Sequence, residues 1–209
     1  MDEKLQKIIE KTTELYFKYG IKSITMDDVA RELAMSKKTL YELVRDKDDL
    51  IEKVFTYFHN QDCCIFQSAH ENGVNAIDVL FKVSEIILER VKNINPAMIY
   101  DLQKYYPELM KSFINSKRET AYNNMKKNIE KGIEEGVYRQ NVKIDLISRF
   151  YWARFENFHS SDIFNDIKEK YTPEQIFYTF VEYHIRGIAS DEGLKILNKI
   201  METKIKNRI

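Results

Sequence analysis

Apolar positions near the start of the chain recur every three or four residues. Leu5, Ile8, Ile9, Leu15, Tyr16 and Tyr19, with Thr12 among them, share one face of a predicted helix over residues 2 to about 19. Gly20 can end it. Thr25 then reads as an N-cap, and Asp28 three residues on completes a box-like arrangement. Val29, Ala30 and Leu33 form the stripe of a short second helix. Ala34 and Met35 make a turn, and Ser36 is positioned as the next cap. A third helix, about Lys37 to Leu43, buries Leu40 and Val44. Asp46 caps a fourth, with Asp48 and Asp49 in its positive first turn and Leu50, Ile51, Val54, Phe55 and Phe58 along its apolar side.

The same pattern continues to the end of the chain. Asn75 predicts a cap before Val79, Leu80, Val83, Ile86 and Ile87. Asn95-Pro96 and Tyr106-Pro107 place proline where a first helical turn tolerates it. A long helix follows Pro107 toward Gly136, with Met110, Ile114, Ala121, Met125, Ile129 and Ile133 on one side. Thr172-Pro173-Glu174-Gln175 combines a capping box with proline at the first position. Ser190 predicts the cap of a last helix carrying Leu194, Leu197, Ile200 and Met201. No strand alternation or internal repeat competes, so the expected fold is all-α.

Composition narrows this further. Three prolines and six glycines in 209 residues leave few interruptions. No stretch reaches the roughly 18 continuous apolar residues of a membrane span, and the charged start is unlike a signal peptide, so a cytoplasmic location is expected. Cys63 and Cys64 are adjacent and imply no disulfide framework or zinc ribbon; they read as small buried residues. Basic and acidic residues balance at 33 each, so any affinity for nucleic acid must come from a local patch.

Residues 25–41, TMDDVARELAMSKKTLY, supply such a patch. Two short helices joined by a tight turn are the helix-turn-helix arrangement, whose second helix enters the major groove by its N-terminal end. That end carries Ser36, Lys37, Lys38 and Thr39. Lysines and hydroxyls suit phosphate oxygens, and the free amides of the first turn add donors. Tyr41 is long enough to reach the backbone from beside the groove, and Lys47 can clamp a neighbouring phosphate. From Ser36 to Lys47, Lys37, Lys38, Arg45 and Lys47 against Glu42 and Asp46 leave +2, a modest surplus. Affinity must then depend on arrangement and dimerisation. Residue identity leaves open whether these groups touch bases or only phosphates.

Gly20, Thr25, Val29-Ala30, Ser36, Thr39-Leu40-Tyr41, Lys47 and Leu50 fall at the spacing of the N-terminal signature of TetR-family transcriptional regulators, which the first fifty or so residues resemble. Two positions depart from the pattern. Ala34 stands where glycine is common, and Leu43-Val44 where an aromatic pair is common. The resemblance implies a helix-turn-helix DNA-binding domain over residues 1–46 and a helical effector-binding and dimerisation domain over 47–209. The candidate DNA contacts are Thr25, Ser36, Lys37, Lys38, Thr39, Tyr41 and Lys47. It also implies a homodimer on a palindromic double-stranded operator, repression, and release when a small molecule enters the larger domain.

The sequence offers material for both implied roles. Ile147, Phe150, Tyr151, Trp152, Phe155 and Phe158 spread around one helix, and Ile176, Phe177, Phe180, Val181 and Ile185 around another. Helices apolar on more than one side must be buried on more than one side, by a partner subunit or within the monomer. Phe66, Tyr100, Tyr122, Trp152, Phe155 and Glu156 are candidate effector-pocket residues, and their aromatic character suits an apolar or flat ligand. The four histidines are scattered, with no HExxH, Gly-rich phosphate loop or nucleophile elbow, so neither catalysis nor a cofactor is expected. His59 with Asp62 or Cys63 could be imagined on a metal, but no metal site is expected. A helical interaction adaptor, or a small-molecule-binding protein without specific DNA binding, is the alternative. An adaptor leaves the loaded start of the third helix unexplained.

Overall fold

The structure, a computed structural model, describes residues 2–160 and 170–206, with the side chains at 62, 63, 70, 91, 154–160 and 204–206 outside the description. Its helices are α1 (Glu3–Tyr19), α2 (Met26–Glu32), α3 (Lys37–Leu43), α4 (Lys47–Asn72), α5 (Ala76–Lys92), α6 (Pro96–Tyr105), α7 (Pro107–Glu134), α8 (Ile144–Ser160), α9 (Pro173–Ile188) and α10 (Asp191–Lys206). Among the described residues the β structure is one isolated bridge, Tyr138 with Ala189. The fold is all-α, as the periodicity predicts.

The caps are where the sequence puts them. Thr25 and Asp28 exchange side-chain and backbone bonds in a complete capping box, and Thr172 with Gln175 does the same at α9. Asp46 Oδ1 accepts from Asp49 N at 2.8 Å, Asn75 Oδ1 from Asp78 N at 3.0 Å, and Ser190 Oγ from Gly193 N at 3.1 Å. Each satisfies a first-turn amide with no partner inside its helix.

Packing divides the chain into two compact units, one of residues 1–64 with 89–117, the other of residues 65–88 with 118–209. In the first, Ile8, Tyr16, Ile21, Val29, Leu40, Val44, Leu50, Ile51, Val54, Met98 and Leu102 are buried in one cluster drawn from α1–α4 and α6. The turn after α1 is fastened to α6: Lys22 N donates to the buried Asp101 Oδ2 at 2.8 Å. Gly20 sits there at φ 84°, where a Cβ would come within 3.3 Å of both Ala97 Cβ and Asp101 Oδ2. Glycine satisfies both the backbone angle and the close approach.

The second unit is built round Ala76, Ile77, Leu80, Phe81, Met125, Ile129, Tyr138, Phe177, Val181, Ile185 and Leu197. One polar chain crosses this core. Asn128 Nδ2 donates to Ala76 O at 2.8 Å, and Asn128 Oδ1 accepts from Tyr138 Oη at 3.1 Å. Both buried side chains are therefore partnered, as a low-dielectric interior demands.

One expectation fails. Cys64 is exposed on α4, not a small buried residue; the side chain of Cys63 lies outside the described residues.

Candidate nucleic-acid interface

The helix-turn-helix lies wholly within the first unit. Val29 and Ala30 of α2 and Leu40 of α3 are buried in one core, which fixes how the two helices pack. The link between them is short. Leu33 closes α2, Ala34 adopts φ 51°, and Met35 N bonds back to Ala30 O at 3.0 Å. A left-handed residue is what so tight a turn requires, and alanine takes that conformation at a cost of roughly 1–2 kcal/mol. The substitution for the usual glycine therefore leaves the turn's geometry in place.

Ser36 caps α3 as expected. Its Oγ accepts from Thr39 N at 3.1 Å and lies 2.9 Å from Thr39 Oγ1. One hydroxyl proton of this pair is used internally, so the other remains for an outside acceptor. Leu40 N bonds to Ser36 O, which leaves the Lys37 and Lys38 amides as the unused donors of the first turn. Ser36, Lys37, Lys38 and Tyr41 are exposed, and Thr39 is half-buried. Tyr41 presents its phenol on the same exposed side, one position past the buried Leu40.

The individual groups differ more than the sequence suggests. Lys37 Nζ is 2.5 Å from Asp27 Oδ2 on α2. Lys38 has no ion pair among the described residues, so it is the more available cation. Lys47 is half-buried at the start of α4; burial lowers its pKa from the ordinary lysine value, against the opposing pull of Asp101, Asp48 and Asp28. Arg45 reaches Asp49 at 3.6 Å. Thr25 gives both its donors to Asp28, Oγ1 at 2.6 Å and the backbone N at 2.9 Å. Asp28 is held below the usual carboxylate range by those bonds. Thr25 so engaged can accept a hydrogen bond, which a phosphate cannot give, and its evident work is to set the start of α2.

Asp27 is the participant that motif reading misses. The signal available was its acidity, ten residues before Lys37, but only the α2–α3 crossing brings the two together. Asp49 is a second. Its carboxylate is buried, accepting from Arg45 N at 3.0 Å and from Lys53 Nζ at 2.5 Å, and it pins the link from α3 to α4.

Four of the six candidate pocket residues have described side chains. Tyr100 belongs to the first unit and is exposed on α6, its hydroxyl accepting from Lys104 Nζ at 2.8 Å. Phe66, Tyr122 and Trp152 belong to the second unit. Phe66 packs on Ala69, Val79 and Val83, while Tyr122 Oη donates to Asp145 Oδ1 at 2.8 Å. The side chains of Phe155 and Glu156 lie outside the described residues. Among the described residues no group of three or more His, Cys, Asp or Glu could hold a metal ion, and no helix is long and apolar enough to cross a membrane.

A capped, solvent-facing α3 set on α2 by a buried leucine and a left-handed turn defines a helix-turn-helix. Residues 8–54 match the family model of the bacterial regulatory proteins, tetR family. The N-terminal segment is thus similar to the DNA-binding region of TetR-family transcriptional regulators. The chain is 26% identical over 198 residues to YvaF of Bacillus subtilis (strain 168), an uncharacterised HTH-type transcriptional regulator, covering 90% of this chain and 96% of that one. Two solved structures share its fold. One is a transcriptional regulator from Cytophaga hutchinsonii ATCC 33406, with TM-score 0.72, 17% identity and coverage of 90% and 100%. The other is a TetR-family regulator from Marinobacter aquaeolei VT8, with TM-score 0.68, 16% identity and coverage of 97% and 98%.

Proposed function

We propose that this regulator is a cytoplasmic repressor that binds a palindromic operator as a homodimer and is released by a small molecule. The observation that carries the DNA half is the start of α3, where Lys38 and Tyr41 stand exposed beside the buried Leu40. The anchor is fixed and the contact groups are free. A single head of this size carries few cations, so two heads about 34–36 Å apart, on successive major grooves, give the affinity one lacks.

Support for pairing comes from the second unit. Leu146 and Phe150, four residues apart on α8, are about half exposed, and Tyr183 on α9 is 63% exposed. The opposite sides of these helices hold Tyr151, Phe177, Val181 and Ile185 in the core. Large apolar groups left on one face of a helix whose other face is buried suit a partner subunit. In this reading residues 1–46 contact DNA, with Ser36, Lys37, Lys38, Thr39, Tyr41 and Lys47 at the duplex and Thr25 in support, and residues 47–209 pair the subunits and take the effector. The effector must favour the released arrangement by differential affinity.

The test is a Leu146→Glu, Phe150→Glu double variant examined by analytical ultracentrifugation and by duplex binding. The native protein should sediment at twice the 25.0 kDa chain mass, and the variant should sediment as single chains and lose operator binding. A variant that stays paired removes the proposed interface. A native protein that is a single chain removes the dimer.

A further inference from the structure

Within the first unit, positive groups from two helices gather round one ring. Lys117 Nζ on α7 lies 4.7 Å from the centroid of Phe58 and 5.0 Å from that of Phe113. Arg90 on α5 brings its guanidinium carbon to 5.6 Å from the same Phe58 centroid. His59, next to Phe58 on α4, has a buried Nδ1 without a hydrogen-bond partner. A buried nitrogen left so calls for an explanation.

Apolar surface adjoins these nitrogens. Phe17 and Phe58 stand 5.2 Å apart, Phe58 and Phe113 6.1 Å, and Phe113 contacts Phe55 at 5.3 Å. Phe55 is buried, whereas Phe17, Phe58 and Phe113 are only half-buried, so their rings present surface to a visitor. Glu10 on α1 accepts from Tyr57 Oη at 3.1 Å and from Gln6 Nε2 at 2.9 Å.

Burial pulls the Lys117 ammonium down to about 8 and lowers His59, with Lys117 a second cause for the histidine. Both effects mark a desolvated place, and the Lys117 charge is felt at His59. An anion entering it gains more than it would at the protein surface, because the low dielectric strengthens each charge contact. An acyclic or aromatic apolar body on the same molecule would cover the exposed faces of the phenylalanines.

We infer that this cluster is the head-group end of an effector site for an amphipathic carboxylate, with Lys117 and Arg90 facing the carboxylate, His59 Nδ1 donating to it, and Phe17, Phe58 and Phe113 bearing its apolar part. The inference rests on the ligand-responsive reading above and names the chemical class of that ligand. It also moves the site away from the six aromatic and acidic positions suggested by sequence.

The probe is decanoate, below its micellar concentration, titrated calorimetrically into the intact protein and compared with decanol. Decanoate should saturate at one per chain, at least tenfold tighter than decanol. Lys117→Met, which keeps the apolar stem, should weaken decanoate at least tenfold and leave decanol unchanged, while Lys117→Arg should restore much of the preference. Equal binding of acid and alcohol, no saturable decanoate binding, or an unaffected Lys117→Met variant overturns the assignment. Decanoate that binds without weakening duplex affinity overturns its role as effector. Duplex binding by the unliganded protein is scored separately: its absence sinks the regulator reading while leaving carboxylate binding to stand or fall by itself.

Discussion

Lys37 Nζ lies 2.5 Å from Asp27 Oδ2, an ion pair across the turn from α2 to α3. Both side chains are more than half exposed, so the pair adds little to stability, of order 0–1 kcal/mol. Its consequence falls on function. Under the proposal that α3 meets DNA, a lysine held by a carboxylate at its tip is not fully free to meet phosphate, and the carboxylate would repel the duplex.

Asp27→Asn should therefore tighten duplex binding severalfold at low salt, with a steeper dependence on salt, since one more cation is available to release counterions. Melting should change by less than about 1 kcal/mol. Fluorescence anisotropy across a salt series checks both. Weaker binding would mean that the pair aims Lys37 rather than occupying it.

Ala34 holds φ 51° between α2 and α3. Ala34→Gly removes the steric cost of the left-handed conformation and adds some unfolded-chain entropy, for a net gain of up to about 1 kcal/mol. Chemical denaturation should show the variant more stable, with duplex affinity retained. A loss of stability would contradict the assigned turn geometry.

Asp49 supplies a pH signature. Its carboxyl is held below the ordinary range first by the hydrogen bond from Lys53, opposed by burial, with the Arg45 amide adding to the lowering. The folded value lies below the unfolded one, so the stabilisation is present above the unfolded value of about 4 and is lost as pH falls through the folded value. Asp49→Asn should cost about 1–3 kcal/mol at neutral pH, the worth of charged hydrogen bonds. The difference from native protein should shrink on acidification below about pH 4, as denaturation curves at several pH values would report.

Much of the fold was readable because caps and stripes are local. Thr25 with Asp28, Ser36, Asp46, Asn75, Asn95-Pro96, Thr172 with Gln175 and Ser190 each act within three residues of themselves. The start of α3 was readable for the same reason. What the sequence hid is what distant residues do to each other. Asp27 meets Lys37 only through the α2–α3 crossing, Lys22 N finds Asp101 across 79 residues, and Phe58 collects Arg90 and Lys117 from two later helices. Aromatic content by itself suggested pocket residues, yet it does not report exposure, and Tyr100 stands exposed on α6.

Lys117 yields an alkaline prediction whose pH slope has the same sign as that of Asp49, although its charge destabilises where that of Asp49 stabilises. Its pKa falls to about 8 in the folded chain, below the ordinary value of 10.5, through burial. Between those values the unfolded chain binds more protons, so the Lys117 contribution to stability rises with pH over that window. Lys117→Met should be more stable than native protein at pH 7, with the gap closing toward pH 10. Tyr16, raised by burial, works the other way above about pH 10, where the unfolded chain ionises first, but it acts equally on both proteins and drops out of the difference.

The most direct measurement is duplex binding by native protein and by the Lys37→Ala, Lys38→Ala, Tyr41→Ala triple variant, using a palindromic duplex selected from bound genomic fragments, over a range of salt. The native protein should bind with affinity that falls steeply as salt rises. The variant should lose that binding while remaining folded and paired. Binding indifferent to salt, or a triple variant that binds like the native protein, would contradict the assignment of α3 as the DNA-contacting element.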